Sequence, residues 1–278
     1  MSYGWPVEPF DKQHAVRGFF CDPRIGDRGE KSFHFGVDVS APDGTPVFAV
    51  EGGIVHSEGA QNVAVVEAGG NRSHSYWHIV PVVRPGQRVE KHQLLGHIAR
   101  TWRHVHLAER RNGQYWNPLR EGALTPFEDF GAPVVDRIVA EQDGSRRDPG
   151  RLVGVVNLLA IAHDNPPISA PPPWKDMPVT PALVRWRLVR DAREVVPWRV
   201  AADFRSTLLP KERFREIYAA GTRQNHPNQP GLYRFWLARN FDTREHRDGA
   251  YRLDVEVADI QGNASRGHQE LVIVNEEL

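Results

Sequence analysis

His34-Phe35-Gly36-Val37-Asp38-Val39-Ser40 runs directly into Ala41-Pro42-Asp43-Gly44-Thr45-Pro46-Val47, and this join between a short strand-like run and a turn sets the pattern of the chain. Proline presets φ at the start of the turn and glycine accepts a positive φ near its end. Outward from it, Phe33–Ser40, Pro46–Val50, Gly53–Ser57, Asn62–Glu67, Ser73–Ile79 and Gln93–Ile98 are short, rich in β-branched and aromatic residues, and punctuated by glycine and proline. Ala68-Gly69-Gly70-Asn71 reads as the turn of an antiparallel hairpin. The expectation for the first half is an antiparallel all-β unit.

A second all-β unit is expected after Asn117-Pro118. The connector Leu119–Pro133 holds Gly122, Pro126, Gly131 and Pro133, which places a boundary near residue 130 and two units at 1–130 and 131–278. Seven strand-like runs follow, from Val134–Ala140 to Glu270–Val274, as a β-sandwich requires. Lys211–Ala220 carries Phe214, Ile217 and Tyr218 at helical spacing and reads as one short helix. Ser169-Ala170-Pro171-Pro172-Pro173-Trp174 reads as a stiff spacer. Trp174, Trp186, Trp198 and Trp236 read as core fillers, with an aromatic sugar-binding surface as the alternative.

Composition narrows the function. The 278 residues suffice for two cores, and 40% apolar and 25% charged residues are those of a globular protein. Thirty-five basic residues balance 35 acidic ones, which argues against a general nucleic-acid or anionic-membrane binder. The longest apolar run, around Val153–Ala162, is too short to span a bilayer and contains Asn157, so no integral membrane segment is expected. The single cysteine, Cys21, permits no internal disulfide and reads as a small buried side chain. Residues 1–10 have neither the basic start nor the apolar stretch of a secretion signal.

Five polar residues arrive in a telling order: His34-x-Gly36-x-Asp38, then His78, then His104-x-His106. Three of them suffice to hold a metal with an open position, as catalytic zinc does, which leaves two imidazoles for chemistry. On a strand, His104 and His106 project from one face. His34 and Asp38 share parity too, but four residues of extended chain cover roughly 13 Å, so both reach one ion only if the backbone bends at Gly36. His74 lies four residues before His78, but the segment lacks the glutamate of a His-Glu-x-x-His zinc helix, and His74 reads as an exposed loop residue.

The ordered set His34-Phe-Gly-Val-Asp38, Gly52-Gly53-Ile54-Val55, Tyr76-Trp77-His78-Ile79, Gly86-Gln87-Arg88-Val89, Leu95-Gly96-His97-Ile98 and His104-Val105-His106-Leu107 resembles the lysostaphin/LytM-type zinc endopeptidases over about Phe20–Pro118. Ile79 stands where that family has leucine. The resemblance implies an antiparallel sheet with a zinc groove and one Zn2+ per chain. It implies His34, Asp38 and His106 as metal ligands, and His78 and His104 as catalytic imidazoles. The implied substrate is a peptide of bacterial peptidoglycan, and the implied location is the cell envelope or outside the cell. The second unit more loosely resembles immunoglobulin-like or fibronectin-type modules. A regulatory wall-binding protein that keeps its metal for structure is one alternative. The other is a zinc peptidase with a non-wall substrate, which the N-terminus favours and which allows a cytoplasmic location. The oligomeric state is left open.

Overall fold

In the computed structural model, which describes residues 2–275, the chain is almost all β with antiparallel strand pairing. The first half builds an eight-stranded sheet. Its path runs from Val16–Gly18 through Val37–Ser40, His104–Arg111, Arg72–Trp77, Asn62–Val66 and Gly53–Gly59 to Arg88–Val89, with Gln114–Trp116 added beside His104–Arg111. A three-stranded sheet of Pro46–Phe48, Leu94–Ile98 and Ile79–Pro81 packs with it, and Pro23–Ile25 pairs with Lys31–Phe33. The expected strand Phe33–Ser40 is two strands, with His34–Gly36 as the link. Gly69 and Gly70 turn the expected hairpin at positive φ.

Strand alternation decides which side of the central sheet is core. Val37, Val39, Val105 and Leu107 are fully buried on one face, each stabilising the fold by roughly 1.5–3 kcal/mol through removal from water. The intervening residues Asp38, His104 and His106 therefore face the other way.

The second half forms two four-stranded sheets. One orders Ser145–Arg147, Val134–Gln142, Val155–His163 and Arg234–Asp242; the other orders Arg193–Asp203, Leu183–Arg190, Gly249–Ala258 and Ala264–Ile273. Side chains from both, including Leu158, Phe235, Leu188 and Leu253, share one core. All seven expected strands are present, and the expected helix is a 3-10 turn followed by Phe214–Ile217. No strand or helix falls between Trp116 and Val134. No described helix is long and apolar enough to cross a membrane.

The two halves share a continuous boundary. Phe20, Cys21 and Phe33 sit in the core of the second half, with Phe33 5.4 Å from Phe214 and 6.0 Å from Phe204 and Tyr218, ring to ring. The Tyr218 hydroxyl donates to the Cys21 carbonyl at 3.0 Å, and the Thr180 amide to Asp22 Oδ1 at 2.8 Å. Cys21 is fully buried, as expected, and burial pushes its thiol pKa up.

The four tryptophans do not form one surface. Trp186 fills the core, Trp236 packs beside Val139 and Leu159, Trp198 lies beneath Arg185, Arg187 and Arg266, and Trp174 borders the cleft described next.

Candidate metal centre

Register brings the site together. His106 lies directly opposite Asp38 across one strand pair and opposite Trp77 across the other. His34 reaches the same point from the link before Val37. Three donor atoms converge: His34 Nε2 stands 2.8 Å from His106 Nδ1, and each lies 3.1 Å from Asp38 Oδ1.

Each donor is held by a second contact. His34 Nδ1–H donates to the Phe19 carbonyl at 2.8 Å, which leaves Nε2 to face the centre. Arg24 Nη2 donates to Asp38 Oδ2 at 2.9 Å, which leaves Oδ1 free. Burial lowers the His34 pKa to about 3 and lowers that of His106 as well, so both rings are neutral at neutral pH, the form that ligates metals. Burial pushes the Asp38 carboxyl up, but His34 and His104 beside it outweigh this and hold it well below the usual carboxylate range.

The donor set fits zinc. Two imidazole nitrogens and one carboxylate oxygen are a catalytic set with one position left for water or substrate. Tetrahedral ligands of zinc stand roughly 3.3 Å apart, close to the spacing here. His106 Nε2, on the far side of its ring, is buried without a hydrogen-bond partner among the described residues, so the Nδ1 side holds the ring's polar contacts.

The backbone bends at Gly36, as expected, and the glycine does more than ease that bend. Its φ is not in the left-handed region. A Cβ there would lie 2.3 Å from the Leu107 carbonyl oxygen and 2.8 Å from His106 Nε2. The glycine is required by the close approach of the His34 link to the His106 strand.

The two remaining imidazoles stand beside the triangle. His104 Nε2 is 3.4 Å from Asp38 Oδ1. Its Nδ1 lies 2.7 Å from both Arg17 Nη2 and the Trp102 carbonyl; it can accept from the first or donate to the second, not both at once. His78 stacks on Trp102 at 3.6 Å and lies 4.7 Å from His104, ring to ring. Its φ of 69° interrupts the alternation that buries Tyr76, so Trp77 and His78 both border the site. Burial, then the neighbouring His104, lowers the His78 pKa to about 3.

Two motif neighbours lie elsewhere. Tyr76 points into the core, where its hydroxyl accepts from the Val50 amide at 2.7 Å. His74 is buried rather than exposed: it lies on the Arg72–Trp77 strand with its ring 4.7 Å from Tyr3.

The site opens into a cleft of about 420 Å³. Arg17, Phe35, Trp77 and Trp102 line it from the first half, and Trp174, Gln224, Asn225, His226 and Tyr233 from the second. The guanidinium of Arg17 lies 4.3 Å over the Trp174 ring, a cation–π contact that links the two walls. Gln224 Oε1 accepts from the Ile25 amide at 2.6 Å. Arg17, Arg24 and Trp102 were not legible as site residues. Trp102 lies only two positions before His104, whereas Arg17 meets a partner 87 residues away and leaves no local signal.

Residues 32–118 match the model of peptidase family M23. Among solved structures, the chain is similar to the catalytic domain of the antimicrobial peptidase lysostaphin from Staphylococcus simulans, at 25% identity over 34% of this chain and 77% of that one, with a TM-score of 0.30. It is also similar to a mutant catalytic domain of the prophage-encoded M23 protein EnpA from Enterococcus faecalis, at 26% identity over 42% and 98%, TM-score 0.34. A third is a zinc-containing peptidase from Vibrio cholerae, at 20% identity over 42% and 39%, TM-score 0.35. No curated protein sequence matches the chain.

Proposed function

Residues 32–118 belong to peptidase family M23, and from that premise we propose that this chain is a zinc-dependent endopeptidase that hydrolyses peptide bonds of bacterial peptidoglycan. One observation carries the reading. Three donor atoms stand 2.8–3.1 Å apart with two further imidazoles beside them, at the head of a cleft. In this reading His34, Asp38 and His106 hold one zinc, and His78 and His104 are the catalytic residues.

Zinc bound there supplies a Lewis acid that polarises the scissile carbonyl and makes water reactive near neutral pH. The chain's own groups move the protons and hold the substrate. His78, kept neutral by burial, and His104 both present imidazole nitrogens at hydrogen-bonding reach of a substrate in the cleft. One takes the proton from the attacking water; the other stabilises the tetrahedral oxyanion or protonates the leaving amine. Either Arg17 or the Trp102 carbonyl holds His104 through Nδ1, according to its tautomer, and Trp102 fixes the plane of His78. Arg24 orients Asp38.

We also propose that the chain divides functionally at residue 130, into a peptidase unit and an immunoglobulin-like unit at 131–278. The second unit acts as a wall of the substrate cleft, through Trp174, Gln224 and Asn225. The protein works at the cell envelope or outside the cell.

The test is mass spectrometry of muropeptides released from purified peptidoglycan by the zinc-loaded protein. New termini at one peptide bond are expected, absent with His106→Ala, which loses its zinc. His104→Ala should keep one zinc per chain by elemental analysis and lose turnover by about 10²–10⁴-fold. Intact muropeptides across several wall types, or loss of zinc in His104→Ala with retention in His106→Ala, would overturn the reading.

A further inference from the structure

Where the connector meets the second half, three carboxylates outside the histidine site are buried together. Asp129 comes from the connector, Asp164 from the residue after strand Val155–His163, and Asp259 from the residue after strand Gly249–Ala258. They are 4%, 1% and 2% exposed, and a carboxylate oxygen of each lies within 4.8 Å of the others. No lysine, arginine or histidine forms an ion pair with any of them among the described residues.

Their hydrogen bonds leave the group half-satisfied. Oδ1 of each accepts from a backbone amide: Gly131 to Asp129 at 2.9 Å, Asn165 to Asp164 at 2.8 Å, Asn263 to Asp259 at 2.8 Å. Asn263 Nδ2 donates to Asp259 Oδ2 and to the Asp129 carbonyl, both at 2.7 Å. Asp129 Oδ2 and Asp164 Oδ2 remain, buried and without a hydrogen-bond partner among the described residues.

Buried carboxylates without counter-charge are costly, and chemistry offers two remedies. A proton held on or between the carboxyls is one, and burial favours it at Asp164. A cation between them is the other remedy. Oxygen ligands on opposite sides of calcium, each about 2.4 Å from the ion, stand up to about 4.8 Å apart, and one carboxylate oxygen of each aspartate lies within that distance of the others. The donors are all oxygen, with no imidazole or thiolate to favour zinc.

We propose that Asp129, Asp164 and Asp259 form a calcium site that clamps the connector onto the ends of two strands of the second half. Water completes the coordination, since three carboxylates supply fewer than the six to eight oxygens that calcium takes. Burial, with the neighbouring Asp129 and Asp259 carboxylates, pushes the Asp164 pKa up to about 8, as expected for negative charges crowded without a cation. The residues lie 35 and 95 positions apart in the chain, so no loop motif announces the site.

Calorimetric titration of CaCl2 into full-length protein, stripped of calcium and loaded with zinc, tests this. One calcium per chain is expected, with a rise in Tm of about 5–10 °C at a hundredfold excess over Kd. Asp164→Asn should weaken binding by about tenfold or more and cancel the Tm rise while keeping its zinc; Asp129→Asn serves as a second variant with the same expectation. No binding heat and no Tm shift in the parent at millimolar CaCl2 would overturn the proposal. So would an equal response to MgCl2, or a calcium response unchanged in both variants.

Discussion

Glu109 and the Asp129–Asp164–Asp259 group are equally buried, yet their surroundings are opposite. Around Glu109, which is fully buried, Arg72 donates at 3.0 Å, Arg120 at 2.8 Å and the Tyr3 hydroxyl at 3.0 Å, and Arg111 pairs with it as well. Around the three aspartates the only donors among the described residues are neutral amides. The contrast shows how a chain manages interior negative charge. Either it carries its own cations to the place, or it leaves a site that one must enter from solution. Asp38 lies between these cases, with Arg24 on one oxygen and the imidazoles of the candidate metal centre on the other.

Removing one charge at each of these places should give three different results. Asp38→Asn should have the largest effect: zinc content falls and peptidoglycan cleavage drops to background, read by elemental analysis and muropeptide release. Retained zinc and turnover would show that Asp38 needs no metal to balance it. Glu109→Gln should cost about 3–5 kcal/mol in denaturant unfolding, because three guanidinium groups lose their shared partner. A loss under about 1 kcal/mol would break the contrast at its first half.

The same residue gives a pH signature. Burial pushes the Glu109 pKa up, but hydrogen bonding and charge from Arg120, then His74 and Arg72, bring it down to about 2 from an ordinary value of 4.5. The folded pKa is the lower one, so its stabilisation is complete above about pH 4.5 and is lost as pH falls through about 2. Acid unfolding of the parent should be steeper in that window than that of Glu109→Gln. The smallest effect is expected from Asp164→Asn in calcium-free buffer. There the neutral amide relieves repulsion, and the variant should unfold within about 0.5 kcal/mol of the parent or above it. A loss of several kcal/mol without calcium would mean that the carboxylate is balanced from within the chain.

How far the sequence could be read follows from the same physics. His34, Asp38, His78, His104 and His106 were legible because His-x-His and His-x-Gly-x-Asp are local motifs whose ordered set resembles a known family, although it is register between distant strands that brings them together. Both β units, the hairpin at Gly69-Gly70 and the short helix were legible for that reason. What escaped depends on distant pairing. His74 reads as a loop residue until Tyr3, 71 positions earlier, covers it. Arg17 gains its place only when the sheet brings it to His104 and the second half brings Trp174 over it. Gly36 was legible as the bend, but the nearness of Leu107 and His106, which also requires a glycine there, is encoded by no spacing.

Phe33 is the residue before His34, and its ring is seated among Phe204, Phe214 and Tyr218. A recombination or truncation point drawn at the connector would therefore cut through the foundation of a proposed zinc ligand, although it severs no strand. The peptidase half is not a portable cassette. Its exchange onto another partner would require that partner to offer an aromatic socket of the same shape, so the two halves are expected to be inherited and to melt together.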